Sequence, residues 1–110
     1  MGKTKKRLLL GNEAIARGLI ENGCAIATSY PGTPASEILA AVAFFQNQES
    51  LSMHTQWAVN EKVAFELAYA GCQTGLRSAV SMKQVGLNVA SDPLMSAAYL
   101  GTKGGFVLIS

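Results

Sequence analysis

Short apolar runs alternate with helical stretches along this chain, and few folds accept such a pattern. Strand-like runs separated by helices of about 10–15 residues predict βαβ units and a mainly parallel sheet with helices on both faces, an α/β domain. Leu8 to Leu10 reads as a short strand or lead-in, and Glu13 to Glu21 as a helix closed at Asn22-Gly23. Cys24 to Ser29 reads as a strand. In Pro31-Gly32-Thr33-Pro34, Thr33 is a plausible N-cap and Pro34 the first position of a helix running to Phe45. Leu51 to Trp57 is a further strand, Asn60 caps a helix over Glu61 to Cys72, and Leu76 to Met82 is a strand. Val85 to Leu100 reads as one helix despite Asp92-Pro93, and Gly105 to Ile109 as a final strand. In the helix from Glu61, Val63, Leu67 and Ala70 form one apolar stripe and Phe65, Tyr69 and Cys72 another, so two neighbours are expected.

Composition narrows the class. Of the 110 residues 49% are hydrophobic and 15% charged, where about 25% charged is usual, which excludes intrinsic disorder and predicts surface covered by other protein. The net charge is +2, and Lys3, Lys5, Lys6 and Arg7 crowd into a basic tail over 1–7, leaving a nearly neutral body over 8–110. A solvated terminus explains that tail, so no nucleic-acid partner is expected. The longest apolar run, Ile38 to Phe45, falls far short of the roughly 20 residues that span a bilayer, so no membrane insertion is expected. Leu8-Leu9-Leu10 is too short for a signal core. Cys24 and Cys72 form no CxxC motif, which points to reduced thiols in a cytoplasmic protein, and a single histidine, His54, rules out a multi-histidine metal site. The chain stops on the apolar run Phe106 to Ile109, so the domain is expected to be truncated at its C-terminus.

In open parallel sheets ligands bind outside the carboxyl ends of strands, which directs attention to three turns. They are Ser29 to Pro34, Val59 to Lys62 and Ser81 to Asn88. None carries a GxGxxG fingerprint or a GxxxxGK[ST] phosphate loop. The residues alone therefore indicate a ligand site of open chemistry, and a non-catalytic α/β binding or assembly module stands as the alternative.

Four blocks then carry a resemblance: Gly-Asn-Glu-Ala-Ile-Ala-Arg-Gly at 11–18, Tyr-Pro-Gly-Thr-Pro-Ala-Ser-Glu-Ile at 30–38, Asn-Glu-Lys-Val-Ala at 60–64, and Met-Lys-Gln-Val-Gly-Leu-Asn-Val-Ala-Ser-Asp-Pro at 82–93. In this order they resemble the start of the alpha subunits of indolepyruvate ferredoxin oxidoreductases, in the 2-oxoacid:ferredoxin oxidoreductase family. The resemblance implies a pyrimidine-binding domain of a thiamine-diphosphate enzyme over 8–110. It implies oxidative decarboxylation of aryl pyruvates to acyl-coenzyme A, with ferredoxin as electron acceptor. Glu61 matches the family glutamate that hydrogen-bonds the cofactor's pyrimidine nitrogen, and is the expected catalytic and cofactor-binding residue. Gly86 and Asn88 match a turn beside the cofactor, and Thr33 matches a threonine near the substrate carboxylate. Each has a plainer role as well: Glu61 as a helix-start acid, Thr33 as a cap, Gly86 and Asn88 as a helix-start turn. Lys83 reads as a surface lysine, with an anion partner as the alternative. The implied magnesium-diphosphate site and the iron-sulfur clusters would lie outside this chain, since it has neither a Gly-Asp-Gly motif nor cysteine clusters. The implied partners are the remainder of the alpha subunit, a beta subunit and ferredoxin, in an oligomer.

Overall fold

The computed structural model describes residues 6–110, so the basic tail falls largely outside it. Four short strands, β1 (Ile26–Ser29), β2 (His54–Trp57), β3 (Ser78–Ser81) and β4 (Phe106–Ile109), form one parallel sheet in the order β2-β1-β3-β4. Their register is level: Ile26 pairs with His54 and Ser78, and Ser78 pairs with Phe106. Ser29, Trp57, Ser81 and Ile109 thus end along a common edge. Helices α1 (Gly11–Glu21) and α2 (Ser36–Gln48) cover one face, and α3 (Glu61–Gln73) and α4 (Ser91–Leu100) the other. The α/β class and the helices on both faces follow the sequence pattern.

Each face has its own core. Ala16, Ala27, Leu39, Val42 and Phe45 pack beneath α1 and α2. Arg17 ties those helices together by pairing with Glu21 and Glu49 while stacking over the Phe45 ring at 5.2 Å. On the opposite face Ala64, Phe65, Ala68, Val80, Met82, Ala90 and Ala97 are buried. The rings of Phe65 and Phe106 meet edge to face at 5.1 Å, and Tyr69 joins them at 6.1 and 5.8 Å.

Of the two apolar sides expected for α3, the one carrying Phe65 and Cys72 turns to the sheet. Glu61, Ala64, Phe65, Ala68, Gly71 and Cys72 face inward at spacings of three and four. Of the first predicted stripe, Val63 and Leu67 are only half-buried and Ala70 is exposed. The reason is size: Ala64, Ala68 and Gly71 let the helix backbone approach the sheet. The Thr28 hydroxyl of β1 donates to the Ala64 carbonyl at 2.6 Å, and the Ser78 hydroxyl of β3 to the Ala68 carbonyl at 2.7 Å.

Other boundaries shift for local reasons. Leu8 to Leu10 is a lead-in, and α1 starts at Gly11 because the Glu13 carboxylate accepts from the Leu10 amide at 2.8 Å. Thr33 is not an N-cap. The Gly32 amide donates to Ser36 Oγ at 2.7 Å and the Ser36 amide to the Gly32 carbonyl at 2.9 Å, closing a turn over 33–35 that delays α2 to Ser36. Pro34 lies within this turn, joined to Thr33 by a cis peptide bond. The predicted helix over 85–100 divides into a 3₁₀ turn, Gln84–Asn88, and α4, in which Pro93 occupies the first turn, where a missing amide breaks no helical bond. Asn60 does cap α3, accepting from the Val63 amide at 2.9 Å. Among the described residues no helix is long and apolar enough to cross a membrane.

Two glycines mark unequal tolerances. A Cβ on Gly104 would lie 2.1 Å from the Leu76 carbonyl oxygen and 2.8 Å from the Gly75 carbonyl carbon, both backbone atoms. One on Gly71 would lie 2.2 Å from Ile26 Cδ1, the movable tip of a side chain. Gly104→Ala is expected to cost about 1–3 kcal/mol in urea unfolding, and Gly71→Ala clearly less. The thiols give a second expectation. Cys72 is buried, while Cys24 is partly buried, and that burial holds its thiol pKa above the usual cysteine value. The thiolate fraction at neutral pH is therefore low, so Cys24 should alkylate more slowly than a cysteine peptide and accelerate only in alkali, and Cys72 should label only on unfolding.

Candidate functional site

The connection from β1 runs through α2 toward β2, whereas that from β3 runs through α4 toward β4. Adjacent strands whose connections leave in opposite directions open a crevice at their carboxyl ends. Ser29 and Ser81 stand at this point in register, and the buried Ser29 hydroxyl donates to the Ser81 carbonyl at 2.8 Å. The turn after β1 brings Gly32 and Thr33 to the crevice, and the turn after β3 brings Lys83 and Gly86.

Glu61 is placed there by α3. Its predecessor Asn60 is extended and caps the helix, so Glu61 is the first helical residue, where the N-terminal end of the helix dipole favours a carboxylate. Only 5% of its surface is exposed. The carboxylate lies directly on Gly86: a Cβ there would stand 2.5 Å from Glu61 Oε2 and 2.8 Å from its Cγ. Gly86 is itself fixed, its amide donating to the Lys83 carbonyl at 2.9 Å and its carbonyl accepting from Val89 and Ala90 at 3.0 and 3.3 Å. Among the described residues no side chain or amide donates to the Glu61 carboxylate, although most of the residue is out of water. Among the described residues no fully buried side-chain oxygen lacks a partner, so the carboxylate oxygens open onto the crevice, where a ligand's donor can reach them.

The structure therefore brings Glu61 and Gly86 into contact. It does not bring all the sequence-selected residues to that contact. Thr33 is exposed on the neighbouring turn, and Asn88 is exposed at the end of the 3₁₀ turn, where its carbonyl accepts from the Ser91 hydroxyl at 2.7 Å. His54 begins β2 at the opposite edge and its Nε2 lies 2.8 Å from Gln56 Oε1. Trp57 ends β2 at the crevice end of the sheet, half exposed.

Two further residues meet at the crevice, the first not singled out in the sequence and the second read there as a surface lysine with an anion partner as the alternative. One is Gly32, against which the Lys83 side chain lies: a Cβ on Gly32 would be 2.8 Å from Lys83 Cδ and 3.0 Å from its Cβ and Cγ. The other is Lys83 itself. The readable signal was a glycine three residues past one strand end paired with a long cation two residues past the other. Elsewhere, a groove of about 310 Å³ runs between α1 and the β3–β4 side, lined by Ile15, Leu19, Cys24, Arg77 and Val107, and holds none of the sequence-selected residues.

A pattern search finds no family model that matches the chain. Individual relatives do match. The chain is 48% identical over 108 residues to the indolepyruvate oxidoreductase subunit IorA of Archaeoglobus fulgidus, covering 96% of this chain and 17% of that protein. It is 48% identical over 105 residues to the IorA of Thermococcus kodakarensis, covering 93% of this chain and 16% of the relative. A solved structure of 2-oxoglutarate:ferredoxin oxidoreductase from Magnetococcus marinus, with 2-oxoglutarate, coenzyme A and succinyl-CoA bound, superposes with a TM-score of 0.69 at 25% identity. The superposition covers 76% of this chain and 14% of that one. The chain thus spans about one sixth of the length of the curated relatives it matches. In sequence it is similar, over nearly its whole length, to one segment of the IorA subunits of indolepyruvate oxidoreductases, and in fold, over about three quarters of its length, to one segment of a 2-oxoglutarate:ferredoxin oxidoreductase.

Proposed function

We propose that this chain is the pyrimidine-binding part, over 8–110, of a thiamine-diphosphate-dependent 2-oxo acid:ferredoxin oxidoreductase, with aryl pyruvates such as indolepyruvate as substrates. The single observation that carries the reading is the Glu61 carboxylate, buried at the crevice, donor-free among the described residues and backed by a glycine. An aminopyrimidine ring suits it. Such a ring offers a nitrogen with which a carboxyl group exchanges one proton, and a side chain at 86 would push aside the carboxylate that meets it.

When bound, thiamine diphosphate supplies a carbon nucleophile for the ketone and an electron sink for decarboxylation. The residues of this chain hold and orient it. Glu61 holds the proton at the ring nitrogen, fixed by the cap at Asn60 and by the close seating of α3. Gly86 keeps the carboxylate in place and gives the ring a flat backbone wall. Thr33 offers a hydroxyl from the opposite turn, and Asn88 lies two residues on from Gly86, at the end of the 3₁₀ turn. Magnesium, the diphosphate-binding motif and the iron-sulfur clusters belong to the rest of the protein in this reading, as do the beta subunit, ferredoxin and coenzyme A as partners, in the cytoplasm. The exposed Trp57, Val59, Val85 and Val89 near Glu61 fit a surface closed by another domain or subunit. They favour an assembled site over a free-standing one.

In the full complex Glu61→Gln and Glu61→Ala are expected to lower oxo acid oxidation by roughly 10²–10⁴-fold, the usual worth of a positioned proton-transfer group. Gly86→Ala, which displaces the same carboxylate, should cost up to about 10²-fold. Turnover unchanged by Glu61→Ala in a correctly assembled complex would remove the catalytic reading and leave a docking module.

A further inference from the structure

We infer that Lys83 recognises the carboxylate of the oxo acid, an inference that rests on the function proposed above. Lys83 leaves the end of β3 at the crevice, and its half-buried stem crosses to the turn after β1, lying on Gly32 beside Thr33. Only glycine leaves room for it, since a Cβ at 32 would stand within 3.0 Å of three stem carbons. The stem is thus largely ordered before any ligand arrives, which lowers the entropy cost of using the ammonium group.

Its charge is uncommitted. Of the ion pairs among the described residues, two use Arg17 and one joins Lys62 to Asp92. Glu37, the acid of the neighbouring helix, accepts from Asn12 at 2.8 Å, and Glu61 is packed on Gly86. A substrate carboxylate entering beside the Glu61 carboxylate meets repulsion unless a cation offsets it. Lys83 is the cation that the turn after β3 brings to the crevice, three residues from Gly86. A phosphate of coenzyme A or of the cofactor offers the same anionic oxygens, so the test separates the three.

In the assembled holoenzyme, Lys83→Met keeps the stem and removes the charge. The expected result is a KM for the oxo acid raised at least about 10-fold with kcat little changed, since a charge-assisted hydrogen bond is lost from ground and transition states alike. The KM for coenzyme A and the calorimetric Kd for thiamine diphosphate should stay as in wild type, and Lys83→Arg should restore most of the loss. Gly32→Ala should reproduce part of the effect but add little to it in the double variant, the signature of one shared interaction. An unchanged oxo acid KM, or an effect moved to coenzyme A or to cofactor binding, would overturn the assignment. Calorimetry with an arylacetate, a carboxylate with no ketone, keeps the two readings apart. Weaker binding to Lys83→Met supports Lys83 even if the wild type fails to oxidise oxo acids, and equal binding overturns it even if turnover is normal.

Discussion

The close seating of α3 on β1 and β3 is the constraint on which the rest depends. Two hydroxyls on adjacent strands, Thr28 and Ser78, reach helix carbonyls one turn apart, and Ala64, Ala68 and Gly71 make the approach possible. These carbonyls already accept helical bonds, so the extra donors satisfy buried hydroxyls without breaking the helix. With the helix body fixed at two points and its start capped by Asn60, Glu61 has little freedom in height or rotation above the sheet. A buried carboxylate follows from helix placement.

The crevice repeats one device from both sides. After β1, Gly32 makes room for the stem of Lys83; after β3, Gly86 makes room for the carboxylate of Glu61. In each case a missing Cβ on one turn receives a charged side chain from another element, and the Ser29–Ser81 hydrogen bond holds the two strand ends together. An anionic and a cationic side chain are thereby lodged in one cleft without pairing with each other. That separation leaves both available to a ligand.

Much of this was legible in the sequence. The alternation of apolar runs and helical stretches predicted the parallel α/β sheet, Asn60-Glu61 announced a capped helix start, and the turns after the strands gather at the crevice end of the sheet. The errors share a cause: they fell where tertiary contacts outweighed a local preference. Thr33 has the chemistry of a cap, yet Ser36 closes the turn with Gly32 and the helix waits. The periodicity of α3 gave two apolar sides but not which would meet the sheet; Phe65 and Cys72 turn inward with Ala64, Ala68 and Gly71, where the Thr28 and Ser78 hydroxyls reach the helix backbone. Lys83 looked like any surface lysine because its partner glycine lies 51 positions away in the chain.

The sequence by itself determined the elements, their order and the residue types available at each turn, because capping, periodicity and turn chemistry act over a few neighbouring residues. Only the tertiary structure decided which of those residues meet. Contact between Glu61 and Gly86, or between Gly32 and Lys83, depends on strand order and on how closely helices approach the sheet, and these are set by packing between residues distant in the chain. No local pattern encodes that distance.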